Sequence, residues 1–258
     1  PLCYASFISM STDITTQVTN GVITVACDVT NNGDEAAHEV SLEADFGDEQ
    51  IVKPPVARVP SGKTATFTFT YAPRIEFSRI VIPVTIRYKD ANHYGFSAVS
   101  FAAASNKKAS PPAVFGRFED LSMSTKGMLS LKLKSLDQNA HTVDVKIVAP
   151  RELTVSNMRK TVNIPGDADT RVSFGIENFS AIPPSTYAVL GIVSEERKGG
   201  RYDQAFVGKV AVFPEKQLFS FLANPHIIWA IAGLLMAYIA YLLLHRMLSR
   251  GLSKGKKD

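Results

Sequence analysis

The chain has 258 residues, 45% of them hydrophobic, 20% charged and 9% aromatic. This ordinary globular composition excludes a disordered, collagenous or coiled-coil chain and sets a prior of one or two domains. The formal charge of +4 resides in the tail, where Arg246, Arg250, Lys254, Lys256 and Lys257 stand against one acid, Asp258, so residues 1–225 are neutral and lack the basic excess with which a nucleic-acid binder releases counterions.

At the amino end, Cys3 and Ala5 are small side chains placed as a signal-peptide cleavage site before Ser6 requires. An incomplete sequence at this end reads equally well. Residues 6–104 then read as a first immunoglobulin-like β-sandwich. In residues 21–31, Ile23, Val25, Cys27 and Val29 alternate on one face. Asn31-Asn32-Gly33-Asp34 makes a turn, and Val40, Leu42 and Ala44 resume the alternation, which predicts a β-hairpin. Phe67, Phe69 and Tyr71 alternate with threonines, and Ile80, Ile82, Val84, Ile86 and Tyr88 follow, with a turn over residues 90–95 before the run 96–103. Pro83 inside that series predicts an edge strand at its position. Short strands with turn signals about every ten residues are the pattern of a β-sandwich.

Residues 105–112, SNKKASPP, form a polar, proline-ended linker of the semi-rigid kind. The same order of features then recurs over residues 113–214, a second sandwich. Gly127 to Leu133 aligns with Gly21 to Cys27, Val172 and Phe174 with Phe67 and Phe69, and Ala188, Leu190 and Ile192 with Ile82, Val84 and Ile86. A repeat of this length is a domain rather than a solenoid unit, because each copy is large enough to bury its own core.

Residues 215–225 are a short juxtamembrane segment, with Phe219, Phe221 and Leu222 at headgroup level. Residues 226–245 contain no Asp, Glu, Lys or Arg. A run of about 20 apolar residues at 1.5 Å per residue matches a hydrocarbon core about 30 Å thick, which predicts a transmembrane helix. Pro225 suits a first helical position and Trp229 an interface. The basic residues 246–258 follow at once, so the positive-inside rule places the tail in the cytoplasm. The sandwiches are then exported to the periplasm or cell exterior, or to the endoplasmic reticulum lumen in a eukaryote. Ala230, Gly233, Ala237 and Ala240 recur every three or four residues, a strip of small side chains along which a partner helix packs closely.

The turn and strand residues VTNNGDEAAHEVSLEADF and VPSGKTATFTFTY resemble the CARDB-type cell-adhesion-related module, and IVAPRELTV, IPGDADTRVSFGI and STYAVLGIVSEE resemble the related module of membrane-anchored envelope proteins. TNNG, SLEADF, ATFTF and RYKDANHYGF also resemble the lumenal domain of the translocon-associated protein alpha and beta subunits, which have one sandwich where two are read here. Lys254, Lys256 and Lys257 fit a dilysine retrieval pattern, and Asn178-Phe179-Ser180 is a formal glycosylation sequon.

Chemistry-bearing patterns are sparse. The histidines His38, His93, His141, His226 and His245 show no metal-ligand spacing, no GxSxG or phosphate loop occurs, and Lys198-Gly199-Gly200 is a hairpin turn in its setting. Glu195 and Glu196 read as solvated turn residues. Cys27 reads as a core side chain, and Cys3 as a terminal residue that could carry a lipid. No catalytic residue, metal or cofactor is expected. The sequence thus predicts a non-enzymatic, single-pass membrane accessory or scaffolding subunit with an integral membrane partner, in contact with lipid. The alternative is a membrane-anchored binding module for a glycan or an extended polypeptide, held by loops or strand edges.

Overall fold

The computed structural model describes residues 7–106, 111–166, 168–198 and 200–214, together with Met236, Tyr238, Ile239, Tyr241 and Leu242. The chain divides into two units, Pro1–Pro214 and Glu215–Asp258. Of the second unit, the five described residues have helical backbone and exposed side chains. Among the described residues no helix is long and apolar enough to cross a membrane. The expected span 226–245 lies outside them apart from those five.

The first unit consists, in its described residues, of β-strands and the turns between them. Its first half contains β1 (Met10–Thr19), β2 (Val22–Asn31), β3 (Ala37–Asp45), β4 (Gln50–Val52), β5 (Val56–Val59), β6 (Thr64–Tyr71), β7 (Phe77–Lys89) and β8 (Gly95–Ser105). The second half contains β9 (Val114–Phe118), β10 (Leu121–Met123), β11 (Lys126–Ser135), β12 (His141–Val148), β13 (Leu153–Val155), β14 (Arg159–Ile164), β15 (Thr170–Asn178), β16 (Ser185–Arg197) and β17 (Gly200–Val212). A three-stranded sheet β1-β2-β6 and a four-stranded sheet β13-β15-β11-β9 lie on either side of a ten-stranded sheet whose path is β14-β12-β16-β17-β7-β3-β4.

Two cores result, each filled from two sheets. Ile23, Val25, Cys27 and Val29 of β2 meet Leu42, Ile82, Val84 and Ile86 in the first. Leu129, Leu131 and Leu133 of β11 meet Val143, Val145, Val189 and Val210 in the second. Phe118 of β9 reaches the facing sheet where Gly191 and Gly208 leave room. A Cβ at either glycine would stand 2.7 Å from the ring.

Three expectations change and one strand is added. The turn at Asn31 does not join a hairpin, because β2 pairs with β1 and β6 while β3 pairs with β4, β5 and β7. The chain crosses there from one sheet to the other, with both strands facing the same core. Asn31 directs the crossing. Its Nδ2 donates to the carbonyls of Glu35 and Val59 at 2.7 and 3.1 Å, and its Oδ1 accepts the Gly33 N–H at 3.0 Å.

β1 is a strand that apolar alternation alone does not mark. It pairs with β2 from Met10 opposite Asn31 to Thr19 opposite Val22. Its inward positions mix threonine with apolar residues, and two of those threonines bond across to β8: Thr12 Oγ1 donates to Ser100 Oγ at 2.9 Å and Thr16 Oγ1 to the Ala103 carbonyl at 2.7 Å.

The repeat alignment is also offset. Phe69 stands opposite Val25, whereas Phe174 stands opposite Leu129, which the sequence had aligned with Ile23. Leu190 and Ile192, aligned with core residues of β7, instead point to the other face of β16. There they join Val81 in a third apolar cluster, backed by Val99, Phe101 and Val148. This cluster packs the outer face of one sandwich onto the other.

Finally, β7 has an open edge only around Pro83 and not along its length. β8 covers one side along its length, from Arg79 opposite Ser105 to Lys89 opposite Gly95. On the other side it pairs with β17 through Phe77 and Arg79, and with β3 from Val84 onward. Pro83 falls in the gap between those two neighbours, where its missing N–H leaves no ladder bond unmade. The equivalent donor two residues back, Val81 N–H, is satisfied by the Asp203 carboxylate at 3.1 Å.

Candidate functional site

Two clefts open where the sandwiches meet. The first, about 770 Å³, is bounded by the end of β3, the Val81–Pro83 gap, β12, β14 and the tip of the β16–β17 hairpin. Several of its charged side chains pair with one another or with neighbours, His141 with Glu195 and Lys146 with Asp45 among them. His141, at the start of β12, approaches Glu195 with Nδ1 at 2.5 Å and Asp137 with Nε2 at 2.7 Å. Burial alone would lower the His141 pKa, but the hydrogen bonds to Asp137 and Glu195, with their charges, outweigh it and hold the ring charged above the usual histidine range. The same hydrogen bond from His141, with the Asn139 N–H, holds Asp137 well below the usual carboxylate range.

Glu195 also accepts from Arg197 Nε at 2.6 Å, and the Arg197 guanidinium lies 4.3 Å over the Tyr202 ring. Across the seam, Lys146 donates to Asp45. Arg201 Nε donates to Asp203 at 2.7 Å, and Asp203 is fully buried. Both nitrogens of His141 are engaged, so the ring has no free lone pair for proton abstraction. Glu195 is a strand residue with its side chain 12% exposed, not the solvated turn residue expected. Its pairing with a residue 54 positions away left no local signal.

The second cleft, about 460 Å³, lies between the β7–β8 hairpin and the segment 182–187. At its base Glu152, 2% exposed, accepts the Ser97 N–H at 2.6 Å through Oε1 and the Ser97 hydroxyl at 2.8 Å through Oε2. The Arg151 N–H donates to the same hydroxyl at 2.8 Å. Tyr88 stacks on Phe96 with ring centroids 5.7 Å apart. Burial, with the charge of Glu152 and the nearby Tyr187, pushes the Tyr88 hydroxyl up to about 12.

Cys27 is a free, fully buried thiol, and burial, with Asp28 and Asp13 adding, pushes it up to about 12. It is a packing residue rather than a nucleophile. Among the described residues no group of His, Cys, Asp and Glu side chains could hold a metal ion. Asn178 closes a turn at the end of β15: its Oδ1 accepts the Ala181 N–H at 2.7 Å, and its Nδ2 donates to the carbonyls of Ser124 and Ala181 at 3.3 and 3.2 Å. The packing strip Ala230, Gly233, Ala237 and Ala240, the tail residues Arg246, Arg250, Lys254, Lys256 and Lys257, and Cys3 lie outside the described residues.

No protein-family model and no curated protein matches the sequence, so the resemblance to CARDB-type and translocon-associated modules rests on the quoted strand and turn residues. Similar solved structures include trypsin-activated alpha-2-macroglobulin from Escherichia coli, at 12% identity and a TM-score of 0.34, over 80% of this chain and 18% of that one. Salmonella alpha-2-macroglobulin reacted with methylamine matches at 11% and 0.34, over 79% and 16%. Red sea bream transglutaminase matches at 13% and 0.29, over 81% and 31%. The chain therefore spans less than a third of each of these chains.

Proposed function

We propose that the protein is a non-catalytic, single-pass membrane accessory or scaffolding subunit, with two exported immunoglobulin-like sandwiches and a cytoplasmic basic tail. The observation that carries this reading is the uncharged run 226–245 followed directly by Arg246, Arg250 and the tail lysines. The helical backbone and exposed apolar side chains of Met236, Tyr238, Ile239 and Leu242, 45–69% accessible, support it. Such surface is costly in water and is at home in lipid.

The seam between the sandwiches supports the scaffolding part. An apolar cluster and buried polar ties through Asp203 and Glu152 suit a rigid spacer rather than two freely swinging beads. The small-residue strip on the span supplies the face for a partner helix.

Sealed native vesicles with the cytoplasmic face outward test the topology. Added protease is expected to trim only the tail, with the sandwiches protected and the chain retained in the membrane after alkaline carbonate washing. Release by carbonate, or digestion of the sandwiches in intact vesicles, would overturn the reading.

A further inference from the structure

We infer that the second cleft is a binding site for a primary ammonium carried on an apolar stem, as in a lysine side chain or an aliphatic diamine. Glu152 is 2% exposed, and its described partners are the Ser97 N–H and hydroxyl, with no Lys, Arg or His paired to it among the described residues. A buried carboxylate without a countercharge is expensive. Each of its oxygens accepts one hydrogen bond from Ser97 and retains a further lone pair.

The walls agree in sign and shape. Among the described residues, Glu35 and Asp90 are the other charged residues of the cleft, and no basic residue lines it. Tyr88, Phe96 and Tyr187 supply aromatic surface, whose negative faces attract cations and whose bulk covers an alkyl stem. A volume of about 460 Å³ admits one such chain.

The carboxylate geometry selects among cations. A guanidinium fork seeks both oxygens in one plane, and here Ser97 already spans both. An ammonium needs only single-point contact with a remaining lone pair. The cleft lies within residues 7–187, so the inference does not depend on the membrane span.

The test is calorimetric titration of the full chain in detergent micelles with Nα-acetyl-lysine methylamide, its norleucine counterpart and 1,5-diaminopentane. Saturable binding of the lysine derivative or the diamine is expected, with the uncharged norleucine counterpart weaker by about tenfold or more. Tighter binding of the capped lysine identifies a polypeptide source, and tighter binding of the diamine a free amine. Glu152→Gln keeps the Ser97 contact and removes the charge, so it should weaken the charged probe by a similar factor. Thr186→Lys places a competing ammonium in the cleft without altering Glu152 or Ser97, and should weaken the charged probe in the same way while the protein remains folded. Equal binding of the lysine and norleucine probes, no saturable binding of either amine, or full affinity in a folded Glu152→Gln protein would overturn the inference.

Discussion

The Glu152 carboxylate grips Ser97 through both of its oxygens, at 2.6 Å to the backbone N–H and 2.8 Å to the hydroxyl, and so ties a residue of the second sandwich to β8 of the first. Ser97→Ala removes the hydroxyl that donates to Glu152 and accepts from the Arg151 N–H. The variant is expected to lose about 1–3 kcal/mol of stability. Denaturant unfolding of the full chain in micelles checks this, and a loss within error of zero would mean that the tie contributes nothing net.

The seam also determines how the sandwiches unfold. Phe69 and Phe174 are fully buried in different cores, and truncation of either to alanine should cost about 3–5 kcal/mol. With the Val81, Leu190 and Ile192 cluster and the buried Asp203 joining the halves, both variants should shift one shared transition followed by near-ultraviolet circular dichroism. Two transitions, each moved by only one of the variants, would show that the halves unfold independently.

The strands were largely legible because inward positions alternate cleanly in β2 and β6. Pairing was less so. The turn at Asn31-Asn32-Gly33 marks a reversal in a sandwich whether it closes a hairpin or crosses between sheets, and only the partners of β2 and β3 decide which. In β16 the run Val189, Leu190, Ile192 and Val193 is apolar on both faces, since one face fills the second core and the other fills the seam. Alternation therefore could not set its phase. His141, Glu195, Ser97 and Glu152 acquire their roles from contacts more than 50 positions apart, which no local pattern encodes.

The His141 cluster gives a pH dependence of definite sign. A histidine whose folded pKa lies above its unfolded value, about 6.5, contributes its full stabilisation below that value. The contribution is lost as pH rises through the folded pKa. The unfolding midpoint should therefore fall on going from mildly acidic to alkaline buffer, and His141→Asn should flatten that slope. An identical slope in the variant would assign the dependence to another group.

Cys27 should be chemically silent in the folded protein. Its thiol is fully buried and pushed up to about 12, so thiolate is scarce at neutral pH. In a Cys3→Ser protein, modification by iodoacetamide should require unfolding and should follow the denaturation curve. Rapid stoichiometric labelling under native conditions would contradict the burial.

The proposal of a membrane accessory subunit is tested most directly by purification from native membranes in mild detergent, comparing the wild-type chain with one carrying Gly233→Leu and Ala237→Leu. Leucine keeps the span apolar and insertion-competent, but wedges apart helices that pack through small residues. The account predicts that an integral membrane partner co-purifies stoichiometrically with the wild type and is lost from a normally inserted double variant. A normally inserted variant that keeps every partner at wild-type yield, or a wild-type chain that brings down no membrane protein at all, would contradict it.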